Sequence, residues 1–259
     1  MKTLVEKVLL FLLFLSISAG AFPQGAEWAD FPVTTNSPKA LEFYKEGLIA
    51  MSDVSMNKVA DFFKKASEAD PNFIMPNVLL ALNGLFFSNK DQFKEFAKKA
   101  VASTYPLNES EILLQNAIKK LLNDPGTNVT DIGERIVKLN PKSIMAHQLL
   151  TIFQQFAKDF EGQNKTLQAM LQLTQNPAPI YNSLGYNYLA LNQVNDAWEA
   201  FNNYLKAAPK NPNAFDSMGD YYAKIEDYQK ARAYFMKAYR MDTINFKFSY
   251  DKANKLKDK

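Results

Sequence analysis

Between residues 180 and 191 apolar side chains return every three or four positions, at Tyr181, Leu184, Tyr188 and Leu191. That spacing lines one face of an α-helix. Asn192-Gln193 then turns the chain, and Ala197, Phe201, Tyr204 and Leu205 make the stripe of a second helix. Pro209, or the Asn211-Pro212 step, ends it because proline cannot continue a helical hydrogen-bond ladder. Neither helix can bury its stripe alone, so helix pairs must stack on neighbouring pairs.

The same pattern returns at a fixed distance. Gly185, Tyr188, Ala197 and Phe201 recur as Gly219, Tyr222, Ala231 and Phe235, each 34 residues on. Agreement of two aromatics, a glycine and an alanine at one spacing is the mark of a repeat architecture. These two periods resemble the tetratricopeptide repeat. The first supplies Tyr181, Leu184-Gly185, Tyr188, Ala197, Phe201 and Pro209; the second supplies Phe215, Met218-Gly219, Tyr222, Ala231, Phe235 and Ala238. Two positions depart from the family pattern, Tyr204 for the usual alanine and Thr243 for proline. Glycine and alanine suit the places where paired helices approach most closely, and the aromatics fill the gap to the next pair.

Weaker copies lie upstream in steps of about 34. Residues 40–73 carry Gly47, Phe63, Ala66 and Pro71; residues 74–107 carry Ala81 at the glycine position, then Ala97, Ala100 and Pro106. In residues 108–142 the stretch 123–128 makes a longer turn than the repeat allows, shifting the register by two and predicting an interruption of the stacking, before Ile136 and Asn140-Pro141 restore the ending. Residues 144–177 keep Leu150, Leu167 and Met170, but Thr151 replaces the glycine and Gln163 the small residue. The resemblance therefore implies an all-α, right-handed solenoid of about six helix-turn-helix pairs over residues 38–245, clearest in 178–211 and 212–245. A C-terminal capping helix is expected in 246–259, with Phe246, Tyr250, Ala253 and Leu256 as its stripe. Residues 22–37 read as an extended linker ending in a helix cap at Ser37-Pro38.

Composition removes many kinds of chemistry. The 259 residues contain no cysteine and one histidine, His147. Disulfides, thiolate nucleophiles and Cys-ligated metals are thereby excluded, as are sites needing two imidazoles. The net charge of +3 is too small to imply nucleic-acid binding. No GxSxG elbow, phosphate loop or dinucleotide fingerprint occurs, so no catalytic, metal or cofactor residue is assigned and non-enzymatic function is expected. His147 is expected to pack, and the acidic Glu109 and Glu111 to favour a helix start. Trp198 is expected to pack between repeats, and Lys252, Lys255, Lys257 and Lys259 to form a solvated face of the cap.

The first 21 residues read as a signal peptide: Lys2 and Lys7 precede the apolar run 8–15 and the small residues Ala19-Gly20-Ala21. Cleavage is expected after Ala21, or alternatively Ala26. The mature chain is expected to be periplasmic or secreted, without stable membrane insertion. Stacked helix pairs make a concave groove lined by the first helix of each, and there Asn182, Tyr186, Asp216, Asp220 and Lys224 are the candidate groove residues. The resemblance implies a protein or peptide partner held without turnover. The family's carboxylate clamp is absent, since Tyr186 stands where it would want asparagine. The alternative is an exported glycan- or small-ligand-binding accessory protein using exposed aromatics.

Overall fold

The computed structural model describes residues 26–52 and 56–256. The expected leader, its cleavage after Ala21, and Lys257 and Lys259 lie outside the described residues. Thirteen α-helices and no strand are found among those that are described. They are α1 (Pro38–Ser52), α2 (Met56–Ala69), α3 (Ile74–Phe86), α4 (Lys90–Val101), α5 (Glu109–Asn123), α6 (Thr130–Leu139) and α7 (Ile144–Ala157). These are followed by α8 (Phe160–Leu171), α9 (Ala178–Ala190), α10 (Val194–Ala207), α11 (Pro212–Lys224), α12 (Tyr228–Met241) and α13 (Lys247–Lys255). Taken in order they form six antiparallel pairs and a last single helix, an all-α solenoid whose first helices begin 34 to 36 residues apart.

Glycine sets how closely a pair packs. At Gly47, Gly185 and Gly219 an added Cβ would lie 2.4 to 2.5 Å from the ring of Phe63, Phe201 and Phe235 respectively. In each case a phenyl ring from the second helix packs against bare backbone of the first. The fourth repeat has no glycine there and uses a polar substitute. Gln163, buried on α8, donates its amide to the Thr151 carbonyl on α7 at 3.1 Å. Tyr204, at the position where the family has alanine, is fully buried between Ala178 and Ala214 and accepts from the Asn213 amide at 3.2 Å. Burial pushes its pKa up to about 12.

Four of the turns within pairs share one geometry. Ser88, Lys158, Asn192 and Glu226 take φ of 56° to 64°, and the next N–H reaches back to the carbonyl of Gly84, Gln154, Tyr188 and Tyr222 at 2.8 to 3.0 Å. This is a left-handed C-terminal closure of the helix, usually made by glycine. The third repeat turns differently. Asp124 binds the Gly126 amide and the Thr127 hydroxyl, and α5 and α6 pack on each other less than the helices of any other pair. Gly133 of α6 instead lies against Leu150 and Phe153 of α7. The interruption expected from the long turn is thus a splayed pair that remains packed to its successor.

Residues 26–36 form a strap rather than a free tether. A short 3-10 turn (Ala26–Asp30) is followed by extended chain that crosses the starts of successive first helices. Thr35 donates to Asp70 before α3 at 2.5 Å. Thr34 donates its amide and hydroxyl to Glu111 of α5 at 2.7 and 2.6 Å. Asn108 donates to the Pro32 carbonyl at 3.2 Å, and Ser143, the N-cap of α7, donates to Asp30 at 2.7 Å. Trp28 and Phe31 are 2% and 3% exposed, within the main core. Pro32 and the β-branched Val33, Thr34 and Thr35 favour extended backbone, so the strap keeps its donors and acceptors for the repeats it crosses. The array curls far enough for α9 to touch α1, where the Asn176 amide donates to the Ser52 carbonyl at 2.9 Å.

Candidate functional site

The helical rise places residues four apart on one face, so Asn182 and Tyr186 of α9 share a face, as do Asp216 and Asp220 of α11. Neighbouring first helices bring the two pairs together. Ser217 donates to Asn182 at 2.8 Å, and the Tyr186 hydroxyl donates to Asp220 at 2.8 Å and meets Ser217 at 3.3 Å. The ladder continues into α13. Ser249 donates to Asp216 at 2.6 Å, and the Lys252 ammonium bridges Asp216 at 2.8 Å and Asp220 at 2.9 and 3.0 Å.

Burial decides the charges here. Desolvation pushes the Asp216 carboxyl up, opposed by the Lys252 ammonium and the Ser249 hydroxyl. Burial alone would lower Lys252, but the two carboxylates hold its ammonium above the ordinary 10.5. The Tyr186 ring is 40% exposed while its hydroxyl is turned inward; desolvation first and then the Asp220 charge push that hydroxyl well above the usual tyrosine range. Tyr186 therefore remains a neutral donor at any physiological pH. Four of the five sequence-assigned groove residues meet in this ladder. Lys224 stands exposed in the last turn of α11, outside the ladder.

Several side chains sit elsewhere than the sequence implied. Lys252 was expected on a solvated face, yet it faces inward, because the buried stripe of α13 is Ser249 and Ala253 rather than one that includes Tyr250. Tyr250 is exposed beside Tyr239, with ring centroids 5.0 Å apart. Trp198 is 44% exposed: Ala197 takes the position of closest approach, and one residue further turns the side chain about 100° away from it. Glu111 does more than favour a helix start. It completes a capping box with Asn108 and also holds Thr34 of the strap. The sequence signal for the first role was Asn108 followed three residues later by glutamate; nothing local signalled the second.

His147 is buried, with Nδ1 2.8 Å from the Ser143 carbonyl. Although Asp30, Ser143 and His147 cluster, the imidazole does not touch the Ser143 hydroxyl, which donates to Asp30 and accepts from the Ala146 amide. This is helix capping, with no base placed to activate the serine.

A second feature adjoins the ladder at Asn182 and extends toward the N-terminal repeats. An apolar cavity of about 360 Å³ opens between α2–α3 and α7–α9, with Trp28 in its wall and Asn83, Gln148, Asn182 and Ser183 as its polar lining. Phe86 and Phe87 also line it and are largely exposed. The exposed large aromatics come from the end of α3 and from α9, α10 and α13.

The tetratricopeptide-repeat family profile matches residues 213–245, the pair α11–α12 with Gly219 against Phe235. The chain therefore carries a tetratricopeptide repeat at residues 213–245. Its fold is similar to that of a thermophilic tetratricopeptide protein of Thermus thermophilus, with TM-score 0.51 and 14% identity over 68% of this chain and 96% of that one. The array also aligns with the Cut9–Hcn1 hetero-tetramer of the APC/C, with TM-score 0.45, 17% identity, and 83% and 42% of the two chains covered. For MamA of MSR-1 the TM-score is 0.44 and the identity 14%, over 63% of this chain and 92% of that one. No curated protein matches the sequence. Among the described residues of this repeat protein, no helix is long and apolar enough to cross a membrane.

The Lys252 bridge gives a test of how the last helix is held. The raised lysine pKa contributes stability that is complete below 10.5 and is lost as pH rises through the higher folded value. Lys252→Gln should therefore lower the unfolding midpoint at neutral pH, with the gap to the parent closing above that range. Urea titrations of both chains at stepped alkaline pH check this, and a gap independent of pH would contradict it.

Proposed function

We propose that this protein is a non-catalytic interaction scaffold of the exported type, periplasmic or secreted, holding a protein or peptide segment on the inner face of its C-terminal repeats. The observation that carries this reading is the ladder of Asn182, Tyr186, Asp216 and Asp220, carried on α9 and α11 and closed by Lys252 of α13. It offers a half-exposed aromatic face beside a carboxylate whose charge is only partly neutralised. That pairing suits an extended segment with a basic or amide-bearing residue next to an apolar one. Export is supported by the leader-like pattern of the first 21 residues. The repeat fold itself is of the interaction-scaffold kind.

The test is capture from the native envelope fraction with the parent chain and with a Tyr186→Ala, Asp220→Asn variant as bait. Asparagine keeps the volume of Asp220 without placing a second cation against Lys252. A partner retained by the parent and lost by the variant, with far-UV circular dichroism unchanged, is the expected result. Equal retention by both baits would move the site off these residues.

A further inference from the structure

The strap crosses four repeats using side chains that a bound peptide would use. Trp28 and Phe31 are buried anchors three residues apart, Pro32 presents its carbonyl to Asn108, and Thr34 meets both oxygens of Glu111. We infer that residues 28–35 are an intramolecular ligand, and that the surface beneath them is a peptide-binding groove for an extended segment of the form Trp-x-x-Phe-Pro-x-Thr. This rests on the scaffold reading for its class of partner, but on none of the residues in the C-terminal ladder.

The fit of the strap is incomplete at identifiable atoms. Among the described residues the Trp28 indole N–H and the Tyr44 hydroxyl are buried without a hydrogen-bond partner, and a buried donor left unpaired is destabilising. Tyr44 lies on α1, which packs against the 3-10 turn at the start of the strap, and it shares one core with Trp28 and Phe31. The cavity of about 360 Å³ that Trp28 borders is left partly filled. An incoming segment that presents an acceptor to Tyr44 and fills more of that space gains where the strap loses. It must still displace an occupant whose covalent tether gives it an effective concentration on the order of millimolar. The strap therefore sets a threshold, admitting only segments that match the groove better than it does.

The test uses the full chain carrying Trp28→Ala and Phe31→Ala, and a fluorescein-labelled peptide of residues 26–36, followed by fluorescence anisotropy. The expected result is saturable binding to the variant and binding at least about tenfold weaker to the parent, whose groove is filled in cis. The same peptide with both aromatics replaced by alanine should not bind. No binding by a variant that keeps its helical circular dichroism overturns the inference, as does equal binding by variant and parent.

If the double variant loses its helices, a Trp198→Phe chain answers instead, since Trp28 is then its sole tryptophan. Excess peptide carrying phenylalanine in place of Trp28 should displace the strap and move the Trp28 emission to longer wavelength. An unmoved emission under saturating peptide overturns the inference.

Discussion

Phe201→Ala is expected to lower stability by about 3–5 kcal/mol, the range for removing a large aromatic from a packed core. The ring is fully buried, meets Tyr186 edge-on at 5.1 Å between centroids, and packs against Gly185. Gly185→Ala should be destabilising for the opposite reason. Its Cβ would come within 2.4 Å of Cε1 and 2.6 Å of Cδ1 and Cζ of the same ring, and overpacking of this kind costs about 1–3 kcal/mol. The two effects share one volume and so should not add. Gly185→Ala made in a Phe201→Leu background, which removes the obstructing ring atoms, should cost less than it does in the parent. Urea titrations of the four chains, followed by far-UV circular dichroism, give the coupling. Strict additivity would mean that the glycine is present for a reason other than the approach of the ring.

Glu111→Ala should cost about 3 kcal/mol, since hydrogen bonds to a charged group contribute about 1.5–3 kcal/mol and loss of the acceptor strands buried donors. Its carboxylate is wholly buried and accepts from the Thr34 amide and hydroxyl and from the Asn108 amide and side chain. The variant thus loses a helix cap and the main polar hold on the strap together. Hydrogen exchange should show faster exchange at the Thr34 amide than at the amides of α11 and α12, which are remote from the change. Glu111→Gln keeps one acceptor oxygen and should fall between the parent and the alanine variant. If the Thr34 amide remains protected in Glu111→Ala, the buried Trp28 and Phe31 and the bonds at Asp30, Pro32 and Thr35 hold the strap without Glu111.

The strap and the ladder also bear on each other. The strap occupies the N-terminal stretch of the first-helix surface, as far as the cavity wall shared with Pro179 and Ile180 of α9. The ladder begins on the same helix at Asn182, which lines the cavity and accepts from Ser217. Trp28 of the strap and Asn182 of the ladder thus line one cavity. Loss of the strap and loss of Tyr186 remain separable, because the strap bonds to Asp70, Asn108, Glu111 and Ser143, whereas Tyr186 bonds to Ser217 and Asp220 of α11.

The helix pairs, their period and the glycine–phenylalanine contacts were readable because each depends on neighbours at short or fixed separations. Gly185 and Phe201 are one turn-and-return apart, and the same pair recurs as Gly219 and Phe235. The four candidates Asn182, Tyr186, Asp216 and Asp220 were readable for the same reason, since a 34-residue repeat that stacks regularly brings equivalent positions side by side. Lys252 escaped this logic because α13 follows no repeat, and only its packing shows which face turns inward. The left-handed turns at Ser88, Lys158 and Glu226 carry no glycine signal; the stacked helices impose that backbone on ordinary residues.

The strap was the least legible element. Its partners lie 35 to 113 residues away and differ in type at every repeat, so neither period nor propensity marks them. The sequence by itself determined a solenoid of helix pairs and which residues face the next repeat, because a regular repeat converts local order into neighbour contacts. Only the tertiary structure decided how far the array curls, what lies in its N-terminal groove and which cation closes the C-terminal ladder, because these join segments that no period relates.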